Sequence, residues 1–212
     1  MKNLILLAVA IAALHCTQPK PASRPEKTPA LPVCTPSANT LCPADEGGTD
    51  ASFAEYRQRL LAAIEKRDGL DALVDPNVRT SFGDGKDPIR WDELKTVIGM
   101  GGAFREGMFW APYVYAKWPE EVDAFTHVAA VRAGVPLRDK PQDTSTVLHT
   151  VDWAILELIQ TRGIVKGWER VRAADGAEGW VRTSDVRSPI GYRAGFHRVN
   201  GEWELSAFVA GD

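Results

Sequence analysis

Histidine and cysteine are scarce, four and three residues in a chain of 212. That scarcity removes most of the constellations on which hydrolytic catalysis rests. The cysteines are Cys16, Cys34 and Cys42, all in the N-terminal apolar segment and the polar stretch after it, and two of them are expected to pair, which leaves no free thiol in the folded part for a Cys–His nucleophile. The Gly-x-Ser-x-Gly string of a nucleophile elbow does not occur. A zinc hydrolase needs about three protein ligands, and His127, His149 and His197 fall on separate predicted strands without motif spacing. Glu120, Glu121 and Asp123 follow Pro119 and read as a solvated turn rather than the opposed carboxyls of a glycosidase. Gly99, Gly101 and Gly102 lack the Lys-Ser/Thr ending of a phosphate loop. The chemical expectation is negative: no enzyme, no cofactor and no metal.

A surplus of positive charge is also missing. The formal net charge is -3, and a nucleic-acid partner is excluded because phosphate neutralisation needs a basic face. The charges are not segregated either: residues 51–127 carry ten basic and thirteen acidic side chains, and residues 128–212 carry eleven of each. After residue 16 no apolar run approaches the roughly 20 residues of a spanning helix.

What is present begins with an address. Met1-Lys2-Asn3 is a short basic start, residues 4–14 are an unbroken apolar run, and Cys16 follows. The run has the length of a signal-peptide core. Residues 17–33 are rich in proline and poor in large apolar groups, so residues 17–50 are expected to form a disordered tether. This order resembles a bacterial lipoprotein precursor. The resemblance implies that 1–16 is a signal peptide, that Cys16 carries a lipid, and that the protein is exported to the cell envelope, facing the periplasm and held at the membrane by that anchor. His15 stands where the family has a small residue, and cleavage at Ala10-Ile11-Ala12 is the alternative. An odd cysteine count in an exported chain leaves one for another purpose. Cys34 and Cys42 are expected to pair in the oxidising compartment, since two cysteines alone make a poor zinc site.

Residues 51–127 read as an α+β domain. A helix is expected over 52–67, with Ser52 and Glu55 at capping-box spacing and Phe53, Tyr56, Leu60, Leu61 and Ile64 on one face. A helical turn at 70–74, a strand at 78–82, a helix capped by Asp87, and a strand over 109–118 broken at Pro112 follow. The string Leu73-Val74-Asp75-Pro76-Asn77-Val78 is similar to cone-shaped α+β domains related to nuclear transport factor, a likeness that brings no function with it.

From residue 128 the period shortens to two. Val135-Pro136-Leu137-Arg138-Asp139-Lys140-Pro141 opens a segment that closes with Gly167-Trp168, Asp175-Gly176 and Gly179-Trp180-Val181. These strings resemble the bacterial SH3-like domains and imply a small β-barrel over 128–187. Trp153-Ala154 replaces the family's small turn, and residues 161–166 look like an enlarged loop. Trp168 and Val171, with Trp180, are expected to fill the barrel, which is too small to be closed by aliphatic side chains alone. Residues 188–212 form a hairpin about Asn200-Gly201. Its two-residue turn pairs Val199 with Glu202, Phe196 with Leu205, Ala194 with Ala207 and Tyr192 with Val209, and leaves His197 and Glu204 as an exposed pair. The hairpin is expected to pack back on the N-terminal part.

The resemblance implies a binding module for a peptide, either cell-wall peptide or a segment of an envelope protein. Its candidate contacts are Trp153, Trp168, Arg172 and Trp180. The alternatives are a structural part of an envelope complex, or an enzyme with its site in the α+β part.

Overall fold

A computed structural model describes residues 33–83 and 85–211. The apolar run, Cys16 and residues 17–32 lie outside the described residues. Among those described, no helix is long and apolar enough to cross a membrane.

The first helix, α1 (Ala51–Lys66), starts one residue earlier than the capping-box reading places it. Asp50 is the cap, and its carboxylate accepts from the backbone N–H groups of Ser52 and Phe53. Ser52 is thereby released for a tertiary role, accepting from the indole Nε1 of Trp203 at 3.0 Å. Arg67 ends the helix in the left-handed region at φ 56°. The strand expected at 78–82 is β1 (Val74–Arg79). It holds Pro76 because it lies at a sheet edge, where a missing N–H costs no ladder bond.

The second helix, α2 (Trp91–Gly99), begins later than Asp87 predicts, and no side chain caps it. β2 (Ala103–Arg105) and β3 (Met108–Ala111) form a hairpin that the sequence reading missed. Its turn residues, Glu106 and Gly107, both have positive φ, the requirement of a tight two-residue hairpin turn. After β3 the chain does not resume a strand. Pro112 starts a short helix, α3 (Tyr113–Ala116), instead.

The remaining strands are β4 (His127–Ala130), β5 (Val135–Arg138), β6 (Val147–Val151), β7 (Ile155–Leu158), β8 (Trp168–Arg172), β9 (Glu178–Arg182), β10 (Val186–Arg187), β11 (Arg193–Val199) and β12 (Glu202–Val209). They sort into a five-stranded sheet, β1-β12-β11-β3-β2, and a seven-stranded one, β10-β4-β7-β8-β9-β5-β6. The fold is α+β, and the C-terminal hairpin is the centre of the N-terminal sheet.

Helices α1 and α2 cover one face of the five-stranded sheet. Phe53 is the hub, with ring centres 4.2 Å from Phe109, 5.1 Å from Trp203 and 5.5 Å from Phe196. It is fully buried, so Phe53→Ala would cost about 3–5 kcal/mol. The hairpin follows the predicted register from Val199–Glu202 to Phe196–Leu205 and then slips. Ser206 is an extra residue, so that Gly195 faces Ala207, Ala194 faces Phe208 and Arg193 faces Val209. A bulge of this kind exchanges the faces of the strand beyond it, and it carries Phe208 into the core.

The seven-stranded sheet wraps its own core. Val186 of one edge strand and Val151 of the other belong to the same buried cluster as Leu137, Leu156, Val171 and Val181. That cluster is wholly aliphatic. The expectation that Trp168 and Trp180 fill the barrel is overturned: alternation along β8 sends Trp168 and Val171 to opposite faces.

The tether reading fails for residues 34–50. Cys34 and Cys42 are disulfide-bonded, with Cα atoms 5.6 Å apart. The loop they close lies against the barrel through two backbone bonds, Leu41 N to Trp153 O at 2.8 Å and Ile155 N to Asn39 O at 2.9 Å. Leu41 is buried with Tyr113, Val114, Ala129 and Ile155. One well-placed leucine and a covalent loop order a segment whose composition alone reads as unfolded.

Candidate binding grooves and the SH3 segment

The outer face of β8 and β9 carries a ladder of alternating charge and aromatic rings. Register sets Trp168 opposite Arg182, Arg170 opposite Trp180 and Arg172 opposite Glu178. Arg182 lies 4.5 Å from the centre of the Trp168 ring and Arg170 lies 5.9 Å from that of Trp180. Arg172 bonds Glu178 and, from the next strand, Glu157, both at 2.8 Å. The guanidiniums of Arg172 and then Arg170 hold the Glu178 carboxyl below the usual carboxylate range. Hydrogen bonding from Arg182 does the same for Asp143 in the β5–β6 loop.

The glycines of the Gly-Trp strings have separate causes. Gly167 sits at φ +82°, a conformation that side chains disfavour. Gly179 lies where β5 crosses closely: an added Cβ would stand 2.8 Å from the Leu137 Cβ and 3.1 Å from the Arg138 nitrogen.

Two neighbouring grooves flank Phe125, which is 60% exposed. The first, about 530 Å³, lies between Phe125 and the β7–β8 loop, with Trp168, Trp180, Glu169 and Arg170 among its lining residues. Ile164 on its loop is fully exposed. Glu169 is half-buried, and burial raises its carboxyl above the ordinary value. Among the described residues it has no salt-bridge partner, unlike the acids of the neighbouring ladder. The second groove is about 410 Å³ and lies against the outer face of the five-stranded sheet.

The four predicted contacts do not converge. Trp168 and Trp180 share the first groove. Trp168 is 6% exposed and Trp180 half-buried, so Trp180 is the better placed to meet a ligand. Arg172 lines a separate small cavity at the far end of β8, with both its carboxylate partners engaged. Trp153 is distant from both in role. At φ 46° it shapes the turn between β6 and β7 and offers its carbonyl to Leu41. The sequence reading missed Glu169, Arg170, Phe125 and Ile164. Strand alternation would have placed Arg170 between the two tryptophans; nothing local marks the others.

One donor cluster suits a metal. Asp75 of β1, His197 of β11 and Glu204 of β12 bring ligand atoms within 4.8 Å of one another. His197 Nε2 lies 3.1 Å from Asp75 Oδ2. One imidazole and two carboxylates are three donors, one short of a closed zinc set. His197 and Glu204 are half-buried rather than the exposed pair that the sequence suggests.

The disulfide belongs to an oxidising compartment, outside a bacterial cytoplasm. A search of the curated proteins finds no match to the chain. Residues 131–188 match the family model described as bacterial SH3 domain, and this segment, which supplies β5 to β10, is the chain's bacterial SH3 domain.

Proposed function

We propose that this protein is a non-catalytic binding module of the bacterial cell envelope. A lipid on Cys16 holds it at the membrane, and the groove over β8 and β9 holds a peptide from the cell wall or an envelope protein. The observation that carries the reading is the first groove itself: an open trough lined by Trp180, Arg170, the exposed apolar Phe125 and Ile164, and Glu169, which has no salt-bridge partner among the described residues. Aromatic and arginine side chains dominate peptide contacts. A raised, unpaired carboxylate in such a groove calls for a cationic group on the ligand, as a diamino-acid side chain or a lysine supplies. Support for the peptide class comes from the SH3 segment, and support for the compartment from the disulfide.

The test is co-sedimentation of the full chain with purified peptidoglycan over a range of salt. Saturable pelleting that falls at least tenfold in Trp180→Ala and in Glu169→Gln is expected. Equal pelleting of the wild type and both variants would refute the groove. Absence of pelleting by the wild type would remove the cell-wall peptide and leave an envelope protein, sought by crosslinking from position 164.

A further inference from the structure

Arg193 is 94% removed from solvent at 6% exposure, yet among the described residues no carboxylate pairs with it. It stands on the face of β11 turned away from the aromatic core, opposite Val209. Its guanidinium lies between two rings, 5.1 Å from the centre of Phe82 and 5.0 Å from that of Tyr115. Its Nη1 is buried and has no hydrogen-bond partner. Arginine cannot shed its proton, and burying an uncompensated charge is strongly unfavourable. The rings offset only part of that cost.

The second groove opens onto this side chain. Its other charges are already engaged. Arg105 lies 3.8 Å from Glu120. The Asp123 carboxylate accepts from the Phe125 N–H at 2.9 Å and from the Thr126 hydroxyl at 3.0 Å, bonds that lower its pKa. Among the described residues this leaves one unpartnered cation in the groove, and the walls beside it are Tyr115, Trp118, Pro119, Pro189 and Ile190.

We infer that the second groove binds a peptide's terminal carboxylate, which pairs with Arg193 while the residue before it lies against Trp118 and Ile190. A single carboxylate matches the planar fork of one guanidinium. A phosphate, with nearly two charges, would meet Glu120 and Asp123 without a second free cation. The carboxylate follows from Arg193 alone. That it belongs to a peptide rests on the reading of the first groove, which adjoins this one at Phe125.

The experiment is an NMR titration of the full chain with N-acetyl-alanyl-alanine, its C-terminal amide, and inorganic phosphate, following the tryptophan indole signals. The free acid is expected to shift the Trp118 indole saturably, with the amide at least tenfold weaker and phosphate weaker than the acid. Arg193→Met is expected to lose the response while melting no lower than the wild type, because an apolar side chain replaces a buried unpaired charge. Arg193→Lys, which keeps the charge without the fork, is expected to bind about tenfold more weakly and serves if the methionine variant does not fold. Asp84→Asn tests the acid two residues beyond Phe82 in the chain and is expected to melt and bind as the wild type. The inference is overturned by equal binding of acid and amide, by tighter binding of phosphate, by a response retained in Arg193→Met, or by an Asp84→Asn variant that melts markedly lower. Shifts confined to Trp168 and Trp180 would overturn it while leaving the first groove standing.

Discussion

The guanidinium of Arg182 lies over the ring of Trp168, 4.5 Å from its centre, and the same group bonds Asp143 across the β5–β6 loop, Nε to Oδ1 at 2.9 Å. One side chain thus shields the deepest aromatic of the first groove and fastens a loop beside it. Arg182→Ala is expected to expose Trp168 and free residues 139–146. The measurement is tryptophan emission, which should move to longer wavelength. The shift should vanish when Trp168→Phe is added, and its persistence there would assign it to another tryptophan.

Trp168 itself is a poor probe of binding because it is nearly buried. Trp168→Ala is expected to lose about 3–5 kcal/mol of stability, read by urea denaturation. Trp180→Ala, half-buried on the same face, is expected to lose far less. Any binding defect in the first variant would therefore mix unfolding with lost contact, whereas the second reports contact.

The ladder to which both belong was legible in part. The Asp175-Gly176 turn and the spacing of the two Gly-Trp strings determine which strands pair. Period-two alternation then places Trp168, Arg170 and Arg172 together and Val171 opposite, against the reading that sent both Trp168 and Val171 inward. In the hairpin, Asn200-Gly201 specifies four pairs correctly. The slip at Ser206 depends on how β12 meets β11 and β1, which no local pattern reports. Arg193 is least legible of all: its burial comes from Phe82 and Tyr115, each far from it in the chain. Composition misled at residues 34–50, where the disulfide loop and one leucine, Leu41, outweigh the polar sequence around them.

Glu169 makes stability and binding depend on pH in opposite ways. Burial raises its carboxyl in the folded protein above the ordinary 4.5, so the ionised form costs stability. The cost is absent below the unfolded pKa and grows as pH rises through the raised folded value. Glu169→Gln is therefore expected to melt higher than the wild type at pH 7 and equally at pH 4. Asp143 and Glu178 run the other way, since their partners lower them, and their contribution is lost as pH falls through the folded values. Peptide binding to the wild type should weaken as Glu169 is protonated, and Glu169→Gln should bind weakly at every pH. A pH-independent affinity in the wild type would exclude Glu169 from the contact.

Gly179 is dictated by the approach of β5, not by its own backbone angles. A methyl group there would meet the Leu137 Cβ and the Arg138 nitrogen, both on β5 and the nitrogen part of the backbone. Gly179→Ala is expected to cost about 1–3 kcal/mol through overpacking, measured by urea denaturation. Gly176, at the open turn, has nothing within 4 Å but a φ of +87°, so its alanine variant is strained for a different reason, and Asn there should partly restore stability. Restoration by Asn at 179 as well would contradict the steric account.

The disulfide makes a final prediction about residues 33–50. Closing a loop of this size raises stability by on the order of 2 kcal/mol in the chain-entropy account, and here the loop also carries Leu41 into a buried cluster. The Cys34→Ser, Cys42→Ser double variant is expected to melt lower than the wild type and to lose hydrogen-exchange protection at the Leu41 and Ile155 amides, whose bonds to Trp153 and Asn39 hold the loop in place. Leu41→Ala, with the disulfide intact, should lose a comparable amount through the cavity it leaves, about 2–5 kcal/mol. If the double variant kept full protection at Leu41, packing alone would order the segment, and the covalent link would be dispensable for seating it on the barrel.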